Sequence, residues 1–89
     1  MFRQVTSALR TSRDGGTIAR IRALADNRRL WLAVNDLMHE PGNALPLQMR
    51  AQIVSIGLTV QREMDQEKPD FDFLININEN MAAGLSGQP

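Results

Sequence analysis

Asn27-Arg28-Arg29-Leu30-Trp31, followed by Pro41-Gly42-Asn43-Ala44-Leu45-Pro46 and then by Arg50-Ala51-Gln52-Ile53-Val54-Ser55, decides the fold of this chain. The first piece sits on a helix carrying the only tryptophan. The Pro-Gly-Asn turn stops that helix, and a second helix starts at Pro46, where a missing N–H is harmless and a fixed φ suits the first turn. The pair reads as an αα-hairpin.

Outward from the hairpin, apolar residues keep helical spacing. Phe2, Val5, Ala8 and Leu9 mark a short first helix that Asp14-Gly15-Gly16 ends. From Thr17, Ile18, Ile21 and Leu24 form one stripe. Leu30, Trp31, Val34, Leu37 and Met38 form another that is shifted around Asp26-Asn27, which fits either one bent helix or two helices with Asp26 as the second N-cap. Met49, Ile53, Ile56, Val60 and Met64 give the strongest period, with Leu58 widening the face. That helix ends by Lys68, because Pro69 disfavours helical geometry just before it. Asp70-Phe71-Asp72 then opens a last helix, where acidic residues suit the dipole, and Phe71, Leu74, Ile77, Met81 and Leu85 share one face with Gly84 as a candidate cap. Phe71 to Ile77 is rich in strand-forming residues, but no alternating partner strand exists elsewhere. The expected fold is all-α, a small bundle of about four helices over residues 1–85 with a disordered tail at 86–89.

With 89 residues, 43% of them hydrophobic and 22% charged, the chain fits one domain without room for a catalytic lobe. A chain of this size buries about 60–65% of its unfolded surface, so a partner or self-association can matter. There is no cysteine, which removes disulfides and thiolate chemistry and suits a reducing cytoplasm. No secretory signal and no apolar run of membrane-spanning length is evident. The formal charge is zero, yet the first thirty residues hold seven arginines against Asp14 and Asp26, and the remainder holds three basic and eight acidic residues. The halves, about +5 and −5, either neutralise each other across a helix interface or present separate faces, neutralisation being the plainer outcome.

The stretch from Phe2 to about Leu85 resembles FlaF, the small flagellar biosynthesis regulator of alphaproteobacteria. The resemblance rests on Phe2-Arg3-Gln4-Val5-Thr6-Ser7-Ala8-Leu9, Asn27-Arg28-Arg29-Leu30-Trp31, Pro41 to Pro46, Arg50-Ala51-Gln52-Ile53-Val54-Ser55-Ile56 and Leu74-Ile75-Asn76-Ile77-Asn78. FlaF-like sequences usually carry a further N-terminal segment before the part that begins Phe2-Arg3-Gln4-Val5, so the resemblance implies that this segment is missing here. A groove left open by its absence could exchange helices between copies. The resemblance implies a cytoplasmic protein that binds flagellin and controls its synthesis or export, in opposition to the translational regulator FlbT. A small helical protein with an apolar groove can hold the amphipathic terminal helices of unassembled flagellin. The candidate partner-binding residues are Arg28, Arg29, Leu30, Trp31, Met38, Met49, Arg50 and Ile53. FlbT and a second copy are further candidate partners.

Each of these residues also has a plainer role. Trp31 can anchor a partner, but on an amphipathic helix tryptophan is more often core. Arg28 and Arg29 can clamp carboxylates or phosphates, or pair with the acidic fourth helix, and intramolecular pairing is the leading reading. Asn27 and Asn43 read as helix-boundary residues. The methionines, including Met38, Met49, Met64 and Met81, suit either an adaptable surface or core filling. Gly57 inside a helix costs about 1 kcal/mol relative to alanine, which points to close approach by another helix. His39 suits the C-terminal end of the Trp31 helix.

An enzyme is not expected, since no nucleophile, base and cofactor constellation occurs. One histidine and no cysteine give no zinc signature, the acidic run Asp65 to Asp72 lacks a calcium-loop frame, and Gly15-Gly16 is not a phosphate loop, so no cofactor or metal is expected. The arginine-rich start raises an alternative, an RNA-associated regulator of flagellin expression, against which stand zero net charge and few aromatics.

Overall fold

A computed structural model of the chain describes residues 1–85. The expected tail at 86–89 and the side chain of Leu85 lie outside the described residues. The fold is all-α: α1 (Phe2–Ser12), α2 (Thr17–Met38), α3 (Leu47–Met64) and α4 (Phe71–Leu85). The element boundaries follow the local chemistry. At the end of α1, the Gly15 N–H bonds the Ser12 carbonyl at 2.9 Å and turns the chain. Pro46 is the N-cap of α3, with ψ of 144°, so Leu47 rather than Pro46 is the first helical residue. Asn43 fixes the connection between α2 and α3: its Nδ2 donates to the Leu37 carbonyl at 2.7 Å and its Oδ1 accepts the Leu45 N–H at 2.8 Å. His39 caps α2 as expected, its backbone N–H reaching the Asp36 and Leu37 carbonyls. Asp70 starts α4 by accepting the Phe73 N–H at 3.1 Å, the usual geometry of an N-cap carboxylate. Gly84 is not a cap, because α4 runs past it to Leu85.

α2 is one continuous helix of 22 residues, which removes the two-helix alternative and Asp26 as a second cap. The shift of apolar stripe has another cause, because the helix is apolar on both faces. Ala23, Leu30, Trp31, Val34 and Met38 point inward, while Ile18, Ile21, Leu32 and Leu37 remain exposed. Asn27 is accordingly no boundary residue. It lies mid-helix on the inward face and is completely buried.

The helices form a flattened body of 40 × 25 × 17 Å, about two helix diameters thick. α1 packs against both α2 and α4, α2 packs against α3, and α3 meets α4 only slightly. Leu9 of α1, Val60 of α3 and Leu74 of α4 are fully buried, with Phe71, Ile75, Ile53 and Met64 around them. Thr6 and Ser12 enter this core because each hydroxyl donates to the carbonyl four residues back, at 2.6 and 2.7 Å. Met49 and Leu58, expected on the core face of α3, are exposed, and Ile56 is half-buried, so the buried stripe narrows to Ile53, Val60 and Met64. Gly57 fulfils its expected role, since a Cβ there would lie 3.3 Å from Trp31 Cε3.

Candidate functional site

Two arrangements fix what the molecule presents to partners. The first lies across its centre. No α-carbon of α2 comes within 8 Å of one in α4, and polar side chains span the gap. Asn78 Nδ2 donates to Asn27 Oδ1 at 2.7 Å, Asn78 Oδ1 accepts Trp31 Nε1–H at 2.9 Å, and Asn27 Nδ2 donates to Met64 Sδ at 3.3 Å. Among the described residues no buried side-chain nitrogen or oxygen lacks a partner. A fully satisfied buried network of this kind fixes how helices face one another, because each bond is directional. Phe2 closes over Trp31 edge-on, with ring centroids 5.9 Å apart.

The second arrangement is the seam between α3 and α4. Because these helices barely touch, a cleft of about 350 Å³ opens between them, lined by Ile56, Thr59, Ile77, Asn80 and Met81. Phe73, Ile77 and Met81 recur every four residues along α4, and Met49 and Ile56 stand seven apart on α3. Both stripes are half-buried or exposed. No lining side chain is ionised, so the seam is apolar with an amide and a hydroxyl at its edge.

Charge is settled elsewhere on the surface. Arg10 pairs with Glu79 at 2.6 Å and Arg13 with Asp72, joining α1 to α4, while Arg28 meets Asp65 at 3.0 Å and Arg29 meets Asp26 at 2.8 Å. The basic first third thus neutralises part of the acidic remainder. The Asp72 carboxylate raises the pKa of the Arg13 guanidinium, first through the hydrogen bond and then through its charge, with Asp14 adding to it. Arg28 and Arg29 pair within the chain, though not with the fourth helix, whose arginine partners are Arg10 and Arg13.

The family described as flagellar protein FlaF matches residues 1–85. The chain belongs to the FlaF family. No curated protein and no solved structure matches it significantly.

In this FlaF protein the candidate partner-binding residues separate by burial. Leu30, Trp31, Met38 and Ile53 are core residues, so the folded chain does not present them. Arg28 is half-buried against Asp65, and Arg50 is half-buried with its Nε donating to the Leu45 carbonyl at 3.0 Å, bracing the turn before α3. Arg29 and Met49 remain exposed, and none of the set lines the α3–α4 cleft, although Met49 lies two turns from Ile56 along the same side of α3. Asn78 and the seam residues Ile77 and Met81 had no place in that set. For Asn78 a signal existed: Phe71, Leu74, Ile75 and Asn78 fall at i, i+3, i+4 and i+7, and Ala23, Asn27, Leu30 and Val34 at i, i+4, i+7 and i+11, so each asparagine occupies a core position of its helix. Among the described residues no cluster of three or more histidine, aspartate or glutamate residues could hold a metal, and no helix is long and apolar enough to cross a membrane.

Proposed function

We propose that this FlaF protein is a non-enzymatic flagellin-binding regulator that holds an amphipathic terminal helix of unassembled flagellin in the α3–α4 seam. The seam supports this reading. It carries no ionised side chain and is lined by Ile56, Ile77 and Met81 with Thr59 and Asn80, and Ile77 and Met81 stand one turn apart on α4, the spacing that meets i, i+4 anchors of a guest helix. Met81, which lines it, can repack around varied apolar shapes. Full burial of one such side chain is worth about 1.5–3 kcal/mol, and association costs absorb much of the sum, so the complex is reversible. Covering a terminal helix keeps flagellin from polymerising early and couples its supply to export or synthesis. The RNA alternative has less behind it, since four of the seven arginines in the first thirty residues, Arg10, Arg13, Arg28 and Arg29, are paired with carboxylates.

The test is retention of monomeric flagellin, and of flagellin lacking its terminal helices, on the immobilised full chain. The reading expects retention of the first only, and its loss in Ile77→Asp with helicity unchanged. Equal retention of both, or an Ile77→Asp variant that binds normally, overturns it.

A further inference from the structure

The outer face of α2 exposes an apolar stripe that the seam does not use. We infer that this face is a second docking surface, and that it takes an amphipathic helix whose apolar stripe is flanked by carboxylates. Ile18, Ile21, Ala25, Arg28 and Leu32 succeed one another at alternating spacings of three and four, the repeat of a helix that packs lengthwise on another helix. Ile18 is 69% exposed, Ile21 60% and Leu32 52%, although the opposite side of the same helix already fills the core. An exposed apolar stripe of this kind, rimmed by charged residues, is the form in which a helix presents a partner site. The small Ala25 at the middle of the stripe lets a second backbone approach closely.

Charge decides what covers it. α2 carries Arg20, Arg22, Arg28 and Arg29 against Asp26 and Asp36. Arg22 and Arg29, seven residues apart, line one side of the stripe, and Arg28 interrupts it. Arg20 lies over the Phe71 ring, Arg28 holds Asp65 and Arg29 holds Asp26, whereas Arg22 has no ion pair among the described residues. The helix also begins at Gly16 without a side-chain cap and without an acidic residue in its first turn, so its positive dipole end adds to the same field. A second copy is a poor occupant. Antiparallel pairing centred on Ala25 sets Arg22 of one copy against Arg28 of the other, and parallel pairing sets each arginine against itself. Glutamates flanking the guest's apolar stripe, seven residues apart, would meet Arg22 and Arg29 in register.

This face lies apart from the seam, so the two readings can fail separately. The probe is a fluorescent helical peptide of about three heptads with leucines on its stripe and glutamates flanking it, compared with the same peptide carrying lysines, by anisotropy against the full chain. The glutamate peptide should bind about tenfold more tightly than the lysine peptide, the effect of reversing two exposed charge pairs. The order should invert in the Arg22→Glu, Arg29→Glu double variant. Ile21→Asp and Leu32→Asp should each abolish binding while helicity and flagellin retention stay unchanged. Equal binding of the two peptides, or no binding of either, overturns the proposal. So does loss of peptide binding in Ile77→Asp with retention in Leu32→Asp, which would move the peptide to the seam. A wild-type dimer that Ile21→Asp dissolves would assign the face to a second copy and equally overturn it.

Discussion

Replacing Asn78 with alanine removes the centre of the buried polar network, and the cost can be worked from its bonds. The Trp31 indole N–H and Asn27 Oδ1 both lose the one hydrogen-bond partner each has among the described residues, at a buried site. Each buried group left unsatisfied costs about 1–3 kcal/mol, so Asn78→Ala should destabilise the chain by about 2–6 kcal/mol before any cavity cost. A domain of 89 residues has about 4–13 kcal/mol of total stability, so the variant stands near the edge of folding. The double variant Asn27→Ala, Asn78→Ala is more informative. Removing Asn27 as well deletes the orphaned Oδ1, so the double variant should be less destabilised than the sum of the single variants by about 1–3 kcal/mol. The assay is urea unfolding followed by tryptophan fluorescence, in which Trp31 is both the only fluorophore of its kind and a member of the network. An Asn78→Ala cost below about 1 kcal/mol, together with additive single and double variants, would refute the assignment of the network as a structural tie.

Three further outcomes follow from named contacts. Gly57→Ala gains about 1 kcal/mol of helix propensity but drives a methyl to 3.3 Å from a Trp31 ring held by Asn78 and Phe2, so it should not raise the melting temperature, and a clear rise would show that the ring yields. Asp70→Ala removes the acceptor for the Phe73 N–H at the start of α4 and should cost about 1 kcal/mol in chemical unfolding, with no change in α3–α4 connectivity by NMR. The pKa of Arg13 is higher folded than unfolded, so its contribution is present at every pH below the ordinary arginine range and is lost only as pH rises through the raised value; the melting-temperature gap between wild type and Arg13→Gln should therefore be the same at about pH 7 and about pH 10, and a gap that shrinks by half would refute the sign.

The sequence makes the punctuation of this fold legible because glycine, proline and capping residues act locally. Asp14-Gly15-Gly16, Pro41-Gly42-Asn43 and Pro69-Asp70 fall between the helices, and Asn43 and Asp70 bond the backbone groups that such residues satisfy at helix ends. Gly57 pointed to a close neighbour, and Trp31 is that neighbour. What stayed hidden depends on which helices meet. Asn27 reads as a boundary because asparagine is a weak helix former, and only the arrival of Asn78 from α4 makes its burial affordable in free energy. Met49, Ile56 and Leu58 look like core on a helical wheel, but α3 has one close neighbour rather than two, so its apolar arc exceeds what the fold covers. The same excess creates the seam, and no periodicity in one helix reveals a gap between two. The outward stripe of α2 was visible as a shift in pattern, and the continuity of the helix turns that shift into a second face.

The way α4 is mounted bears on how a guest enters. Its packing runs mainly to α1, through the Arg10–Glu79 and Arg13–Asp72 bridges and the side of Leu9, and side chains alone link it to α2: Asn78 to Asn27 and Trp31, and the Phe71 ring under Arg20. α1 therefore works as the spine of a book whose pages are the α2–α3 hairpin and α4. Parting the pages would break the Asn27–Asn78–Trp31 bonds, so under the proposed function a guest has to be fitted by side-chain rearrangement along the α3 edge while the hinge angle stays fixed.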